Sequence, residues 1–347
     1  MDTAAIRTAV DKHQFKYTAE FLSRSDIEQL FEKMKTYNFE ISEKEYYITN
    51  LYNSYMKDTF INFGGKMYRE IQFDYGTHDF TNIIDYFQDR CRFKCKRSDA
   101  TMIPYLWVKN RANLFNVFRA ILNDGEKIND RMIYRYSCRL MAKLLCPEFQ
   151  PLIVSGLFRI LNNAGFATRR FLDMSAGRGS RLMAAILNCD EYLGFDPDSC
   201  LHRNYAAQIK FAGGDPRKFR VIHSGFELAK LEAGYWDIMF SSPPYFDLEQ
   251  YSEEKTQSTI KFKNLESWSE NFVFPSVKKI FEALKSGGIM AVNISNSFFH
   301  PEIHYTEKFF DAAKKYGFKY LGIVGFSFAS QKIERCPTYP IWIFSKS

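Results

Sequence analysis

The chain has 347 residues, of which 46% are hydrophobic and 25% charged, a balance that excludes wholesale disorder. No stretch approaches the ~20 apolar residues of a membrane span, and the opening MDTAAIRTAVDKHQF lacks the apolar centre of a secretory signal, so a soluble protein of the cytoplasm with no membrane partner is expected. The formal net charge of +7 favours a polyanionic partner.

In chain order, apolar residues recur at helical spacing over 27–34 and 114–122, and 135–145 and 152–164 predict two further helices, with Pro147 and Pro151 between them. Short aromatic stretches separate these segments. Arg90-Cys91-Arg92-Phe93-Lys94-Cys95-Lys96-Arg97 sets basic side chains around a Phe. Cations interleaved with an aromatic suit phosphate contact and base stacking, although a charge run is also the ordinary make-up of a solvated face. Arg92, Lys94, Lys96 and Arg97 are the candidate nucleic-acid contacts, and Trp107, Lys109 and Arg111 continue that surface in sequence. The 7 Cys are scattered, and Cys91 and Cys95 lack a second close pair, so free thiols are expected and no metal site.

Near Phe171 the character changes. Strand-like runs at 171–174, 192–195, 219–222, 236–240 and 289–294 alternate with helical ones at 180–187, 201–212, 274–284 and 309–316, and 320–326 and 339–344 read as two closing strands. Such alternation predicts an α/β fold with a mostly parallel sheet covered by helices on both faces, and ligands bind at the carboxyl ends of its strands. The expected division is a mostly helical region over 1–145, assigned to target recognition, and a catalytic domain over 146–347.

Three motifs fall at strand ends. Asp173-Met174-Ser175-Ala176-Gly177-Arg178-Gly179-Ser180 joins a strand to a helix, and glycines there let the backbone approach a ligand. Leu182 stands where a dinucleotide fingerprint has its third Gly, which disfavours a nicotinamide-dependent oxidoreductase. Asp196 lies ~20 residues beyond the Gly loop, where a carboxylate reaches ribose hydroxyls; Asp198 is the alternative. Together these suit an adenosine-type cofactor, and the Ser224-Gly225-Phe226 turn after the third strand is expected to border its adenine. Asp173, Ser175, Ala176, Gly177, Gly179, Asp196 and Phe226 are thus the candidate cofactor residues.

The third motif, Ser242-Pro243-Pro244-Tyr245, ends the fourth strand of this half. Its prolines remove two amide donors and leave carbonyl acceptors, one hydroxyl and a ring. An exocyclic amino group of a base is a poor nucleophile because its lone pair is delocalised. The Ser242 hydroxyl and Pro243 carbonyl can accept from its two N–H groups and draw the lone pair back onto nitrogen, while Tyr245 stacks on the base. Such catalysis is positioning and electrostatics. Ser242, Pro243, Pro244 and Tyr245 are the candidate catalytic residues.

With these motifs, with Gly194-Phe195-Asp196-Pro197, and with the ending Tyr339-Pro340-Ile341-Trp342-Ile343-Phe344, the chain resembles the S-adenosylmethionine-dependent amino-methyltransferases that carry an (Asp/Asn/Ser)-Pro-Pro-(Tyr/Phe) motif. Within that group it looks like methyltransferases of phages and large DNA viruses, over roughly the last half of the chain. The resemblance implies a Rossmann-like class I methyltransferase fold, S-adenosyl-L-methionine as cofactor, and methylation of adenine N6 or cytosine N4. A first-position Ser is more typical of cytosine enzymes, Asp or Asn of adenine enzymes, so the base stays open. The implied partner is nucleic acid, DNA before RNA, with the target base flipped from a duplex. An RNA methyltransferase, a glutamine methyltransferase and an inactive nucleic-acid-binding subunit are the alternatives. Phe246, Asp247 and Glu249, directly after the catalytic turn, join the candidate substrate contacts, and 252–263 is expected to close as a lid over the target nucleotide.

Overall fold

A computed structural model describes residues 3–38, 40–42, 61–63, 66–68, 70–74, 79–97, 100–246, 249–294, 304–329 and 339–347. Its strands are β1 (Glu40–Ser42), β2 (Ile61–Phe63), β3 (Lys66–Tyr68), β4 (Glu70–Asp74), β5 (Lys96–Arg97), β6 (Arg170–Asp173), β7 (Glu191–Asp196), β8 (Phe219–His223), β9 (Trp236–Ser241), β10 (Glu249–Gln250), β11 (Leu284–Val292), β12 (Phe318–Ala329) and β13 (Tyr339–Lys346). Nine of them form one sheet in the order β1-β4-β12-β13-β11-β9-β6-β7-β8. From β8 to β11 all neighbours are parallel, and β13 runs antiparallel between β11 and β12.

Strand residues point alternately to the two faces, and each face has its own core. Phe171, Ile238, Phe240, Ile289, Ala291, Ile341 and Ile343 pack with the helices Pro151–Asn163, Ser180–Asn188 and Ser199–Ala212. Their chain neighbours Leu172, Met239, Met290, Val292, Trp342 and Phe344 pack with Phe274–Ala283 and Tyr305–Tyr316 on the other side. The continuous apolar runs are thus buried twice over, as a parallel sheet requires. This is the Rossmann-like sheet that the resemblance implies. The chain builds β6, β7 and β8 outward, then returns to lay β9 on the other side of β6, which makes the carboxyl end of β6 the switch point where a crevice opens.

The region before residue 146 is not purely helical. Its β4 runs parallel to β12, and β1 pairs with β4, so residues from both sides of the expected 145/146 boundary share one sheet. The helix Pro151–Asn163 closes on that edge, where a Cβ at Gly156 would lie 2.7 Å from Ile71. A second departure concerns the thiols. Cys91 and Cys200, 109 residues apart, form a disulfide, contrary to the expectation of free cysteines; Cys95, Cys138, Cys146 and Cys189 are free. The bridge joins the helix Thr81–Arg92 to Ser199–Ala212, a pairing that spacing alone does not reveal. Among the described residues no helix is long and apolar enough to cross a membrane.

Candidate active site

Asp173, the last residue of β6, is fully buried and organises the floor of the crevice. Its Oδ2 accepts from Arg181 Nε and the Tyr192 hydroxyl, each at 2.8 Å. Its Oδ1 accepts from the Ser241 hydroxyl at 2.8 Å and the Ser175 amide at 3.1 Å. With both oxygens engaged inside the protein, Asp173 does not line the cavity, unlike the contact expected from sequence. It holds the loop that does. Arg181, also buried, donates in addition to the Ser175 carbonyl.

The Gly loop starts from this anchor. Gly177 and Gly179 have φ of 57° and 94°, the left-handed region that a side chain disfavours. A Cβ at Gly177 would meet nothing nearer than Ser175 O at 3.9 Å, whereas one at Gly179 would strike the Gln208 amide. Tyr205 and Gln208 donate to the Gly177 and Arg178 carbonyls. Arg178 donates to Glu148 and to the Pro147 carbonyl, and Ser180 to Glu148 at 2.5 Å. These bonds lash the loop to the segment before the helix Pro151–Asn163.

Asp196 ends β7 beside the loop. Its oxygens accept from the Gly177 and Asp198 amides, each at 2.9 Å. Burial pushes its carboxyl up to about 7, and the neighbouring Asp198 charge adds to the effect. Asp198 caps the next helix through the Cys200 amide. Two histidines that sequence reasoning missed hold this corner. His202 Nε2 lies 2.7 Å from the Asp196 carbonyl and His223 Nε2 lies 3.1 Å from that of Pro197, positions where each ring nitrogen must donate. Phe226, 1% exposed, stands edge-on to Phe195.

Ser241 ends β9, and Ser242-Pro243-Pro244-Tyr245 turns away from it. The Ser175 hydroxyl lies 2.7 Å from that of Ser241 and 2.9 Å from the Ser242 carbonyl, so the Gly loop and the Pro-Pro turn share one hinge. Asn293, at the end of β11, donates its amide to Ser241 O and its side chain to Pro340 O. This gives the Tyr339-Pro340 ending a positioning role. Among the described residues none pairs with the Ser242 hydroxyl. Tyr245 stands edge-on to Tyr305, 5.8 Å between ring centres.

These loops border one cavity of about 720 Å³, lined by Ser175–Arg178, Asp196–Asp198, Phe226, Ser242, Pro244 and Tyr245 among others, a volume suited to a small ligand. Pro243 is buried between Ser242 and Pro244, both of which line the cavity.

The basic segment completes the wall in an unforeseen way. β5 pairs antiparallel with β10, setting Arg97 opposite Glu249 and Lys96 opposite Gln250, so the stretch expected to contact nucleic acid is bound to the chain just after the Pro-Pro turn. Arg92, Cys95 and Arg97 line the cavity. Arg92 is 14% exposed and paired with Asp85 at 2.8 Å, which removes it from any outward phosphate-binding face. Phe93 is fully buried against Phe15, Tyr17 and Tyr134 and cannot stack on a base. Lys94 is exposed, its charge within reach of Asp198. Arg111 donates to the Val10 and His13 carbonyls, tying down the N-terminal helix. Glu249 is buried, accepts from the Tyr251 hydroxyl, and has its carboxyl raised by burial. Phe246 packs 6.2 Å from the Trp268 ring; Asp247 lies outside the described residues.

The expected lid covers a different end of the cavity. Ser199 donates to Glu254 at 2.5 Å, Thr256 to the Pro197 carbonyl at 3.3 Å, and Lys261 to Glu227 at 2.5 Å. The segment therefore closes over the Asp196 and Phe226 corner, not over the Pro-Pro turn.

No family model matches the chain, and no curated protein matches it. Among solved structures it is similar to the tRNA (m1A58) methyltransferase TrmI from Aquifex aeolicus, at 11% identity over 58% of this chain and 70% of that one, with a TM-score of 0.38. It is similar to the N-methyltransferase NodS from Bradyrhizobium japonicum WM9 at 9% identity, over 56% of this chain and 93% of that one, TM-score 0.40. For an S-adenosylmethionine-dependent O-methyltransferase from Thermotoga maritima the values are 11%, 58%, 68% and 0.38. Likenesses this loose carry no functional argument, and function is read from the geometry of the site.

Proposed function

We propose that this protein is an S-adenosylmethionine-dependent methyltransferase acting on an exocyclic amino group of a nucleobase, adenine N6 or cytosine N4, in DNA. The observation that carries this reading is the shared hinge: the Ser175 hydroxyl joins the Gly loop to the Ser242 carbonyl, so that a cofactor loop and an amino-accepting turn border one cavity. Asp196 would accept from the ribose hydroxyls, the Gly loop would receive the amino-acid end, and Phe226 would border the adenine. When bound, S-adenosylmethionine supplies an electrophilic methyl group. Ser242 Oγ and the Pro243 carbonyl would accept from the target amino group and Tyr245 would stack on the base; the nitrogen would take the methyl as the methyl's bond to the sulfonium sulfur breaks, leaving S-adenosylhomocysteine, and its displaced proton would pass to solvent.

The test incubates the protein with methyl-labelled cofactor and duplex DNA, single-stranded DNA, RNA or a protein extract, followed by digestion and mass spectrometry. Label in N6-methyladenine or N4-methylcytosine from DNA is the expected result. Label in RNA alone moves the substrate to RNA, and label in glutamine alone moves it to protein. Cofactor binding without transfer to any pool supports a binding subunit.

A pH dependence follows from Asp196. Its carboxyl is held near 7, so in the free protein it is largely protonated at pH 6 and ionised at pH 8. Ribose hydroxyls donate better to the ionised form, so binding releases a proton, and affinity rises with pH until the free carboxyl is fully ionised. Cofactor affinity is expected to increase about tenfold from pH 6 to pH 8. Titration calorimetry in two buffers of different ionisation enthalpy reads the released proton directly. An Asp196→Asn variant that keeps the same pH profile would reject the assignment.

A further inference from the structure

We propose that Arg92, from the region before the catalytic half, binds the carboxylate at the amino-acid end of the cofactor. The inference rests on the cofactor reading above and adds the group that recognises its anionic end.

Among the described residues four arginines line the cavity, Arg92, Arg97, Arg178 and Arg181. Arg178 is committed to Glu148 and the Pro147 carbonyl. Arg181 is committed to Asp173 and the Ser175 carbonyl. Arg97 stands opposite Glu249 in the β5–β10 register. Arg92 differs from these. Its Nη1 donates to Asp85 Oδ2, while its buried Nε has no partner among the described residues. The Nε is sealed from the cavity, so it is the 14% of the side chain left exposed there that a ligand can meet. A mostly buried guanidinium with donors left over is costly, and a carboxylate at its exposed end would offset that cost.

Position agrees with this chemistry. Arg92 ends the helix Thr81–Arg92, whose Cys91 is bridged to Cys200 and whose Gln88 donates to the Leu201 carbonyl. The helix Ser199–Ala212 in turn holds the Gly loop through Tyr205 and Gln208. Arg92 and the loop's own Arg178 are close enough for their charges to interact. Arg92 therefore lines the same cavity as Gly177 and Arg178 of the loop. An adenosyl group held by Asp196 and Phe226 would have its amino-acid end within this same cavity, which the loop and Arg92 both line. Asp85 does not preclude the role: burial raises its carboxyl while the Arg92 charge opposes the rise, and it engages only the Nη1 of the guanidinium.

The test compares two ligands with a shared adenosyl thioether: S-adenosylhomocysteine, which carries the amino-acid carboxylate, and 5′-methylthioadenosine, which lacks it. Their affinities are measured by titration calorimetry for the wild type, Arg92→Met and Arg92→Lys. Because Arg92→Met leaves Asp85 buried without its partner, an Asp85→Asn/Arg92→Met double variant is measured as well, with thermal unfolding as the folding control. The expected result is about a thirtyfold loss for S-adenosylhomocysteine in both Met variants, a smaller loss in Arg92→Lys, and an unchanged affinity for 5′-methylthioadenosine. Equal losses for both ligands would overturn the proposal and make Arg92 structural. Unchanged affinity for both, with weakened DNA binding, would overturn it in favour of a phosphate contact. A wild-type protein that binds neither ligand would remove the cofactor reading and this assignment together, a failure distinct from the other two.

Discussion

Asp173→Ala is expected to destabilise the protein by about 3–5 kcal/mol, read as a fall in melting temperature on the order of 10 °C, without any ligand present. Arg181 has 5% of its side chain exposed, and loss of Asp173 would leave it charged and unpaired in the floor of the crevice. Two hydroxyls and one amide, those of Tyr192, Ser241 and Ser175, lose their acceptor at the same time. Asp173→Asn should be milder, because the amide oxygen still accepts but no longer neutralises the guanidinium. Asp173→Leu with Arg181→Met should recover part of the loss, since replacing both members of a buried pair removes the orphaned charge. The series separates an anchor from a ligand contact. Were Asp173 a cofactor contact, Asp173→Asn would keep the wild-type melting temperature and lose cofactor affinity.

Asp173 also shows where the sequence is legible. A strand end followed by Gly-x-Gly marks the loop reliably, because the left-handed φ of Gly177 and Gly179 and the apolar run before them are local properties. Which atoms of the loop face a ligand is not local. It depends on Arg181, one helical turn on, and on Tyr192 and Ser241 from the flanking strands. For the same reason Asp196 and the Ser-Pro-Pro-Tyr turn were found at strand ends, while His202 and His223 were not. Nothing in their spacing says that both rings reach the carbonyls of one dipeptide.

The first half was less legible for a different reason. The helix Thr81–Arg92 buries Asp85, Gln88 and Asp89 along with Ile83, Ile84 and Cys91, so its inner face reads as polar. Those carboxylates meet Thr18, Tyr134 and Arg92, partners scattered over more than a hundred residues. Periodicity detects apolar faces, not a satisfied polar network. β4 was hidden likewise, since only its addition to β12 makes it a strand of the main sheet. The basic stretch beside this helix reads from its charge as a nucleic-acid contact, but its two-residue pairing with Glu249–Gln250 leaves no signal in either segment alone.

Ser242→Ala is expected to lower the turnover number by about a hundredfold while leaving cofactor affinity and melting temperature close to wild type. The hydroxyl has no protein partner among the described residues, and the Ser242 contacts that hold the turn run through its carbonyl and the Ser175 hydroxyl, which Ala preserves. Its removal therefore subtracts an acceptor for the target amino group and little else. Tyr245→Ala should act on a different quantity. Loss of a stacking ring costs about 1–3 kcal/mol per base, so the Michaelis constant for DNA rises more than turnover falls, and Tyr245→Phe restores it. The ring also packs against Tyr305, so Tyr245→Ala needs the unfolding control that Ser242→Ala does not. If the two sites act on separate steps, the double variant shows both defects, multiplied. Wild-type turnover in Ser242→Ala would show that the hydroxyl does not polarise the amino group, and the turn would then work through the Pro243 carbonyl alone.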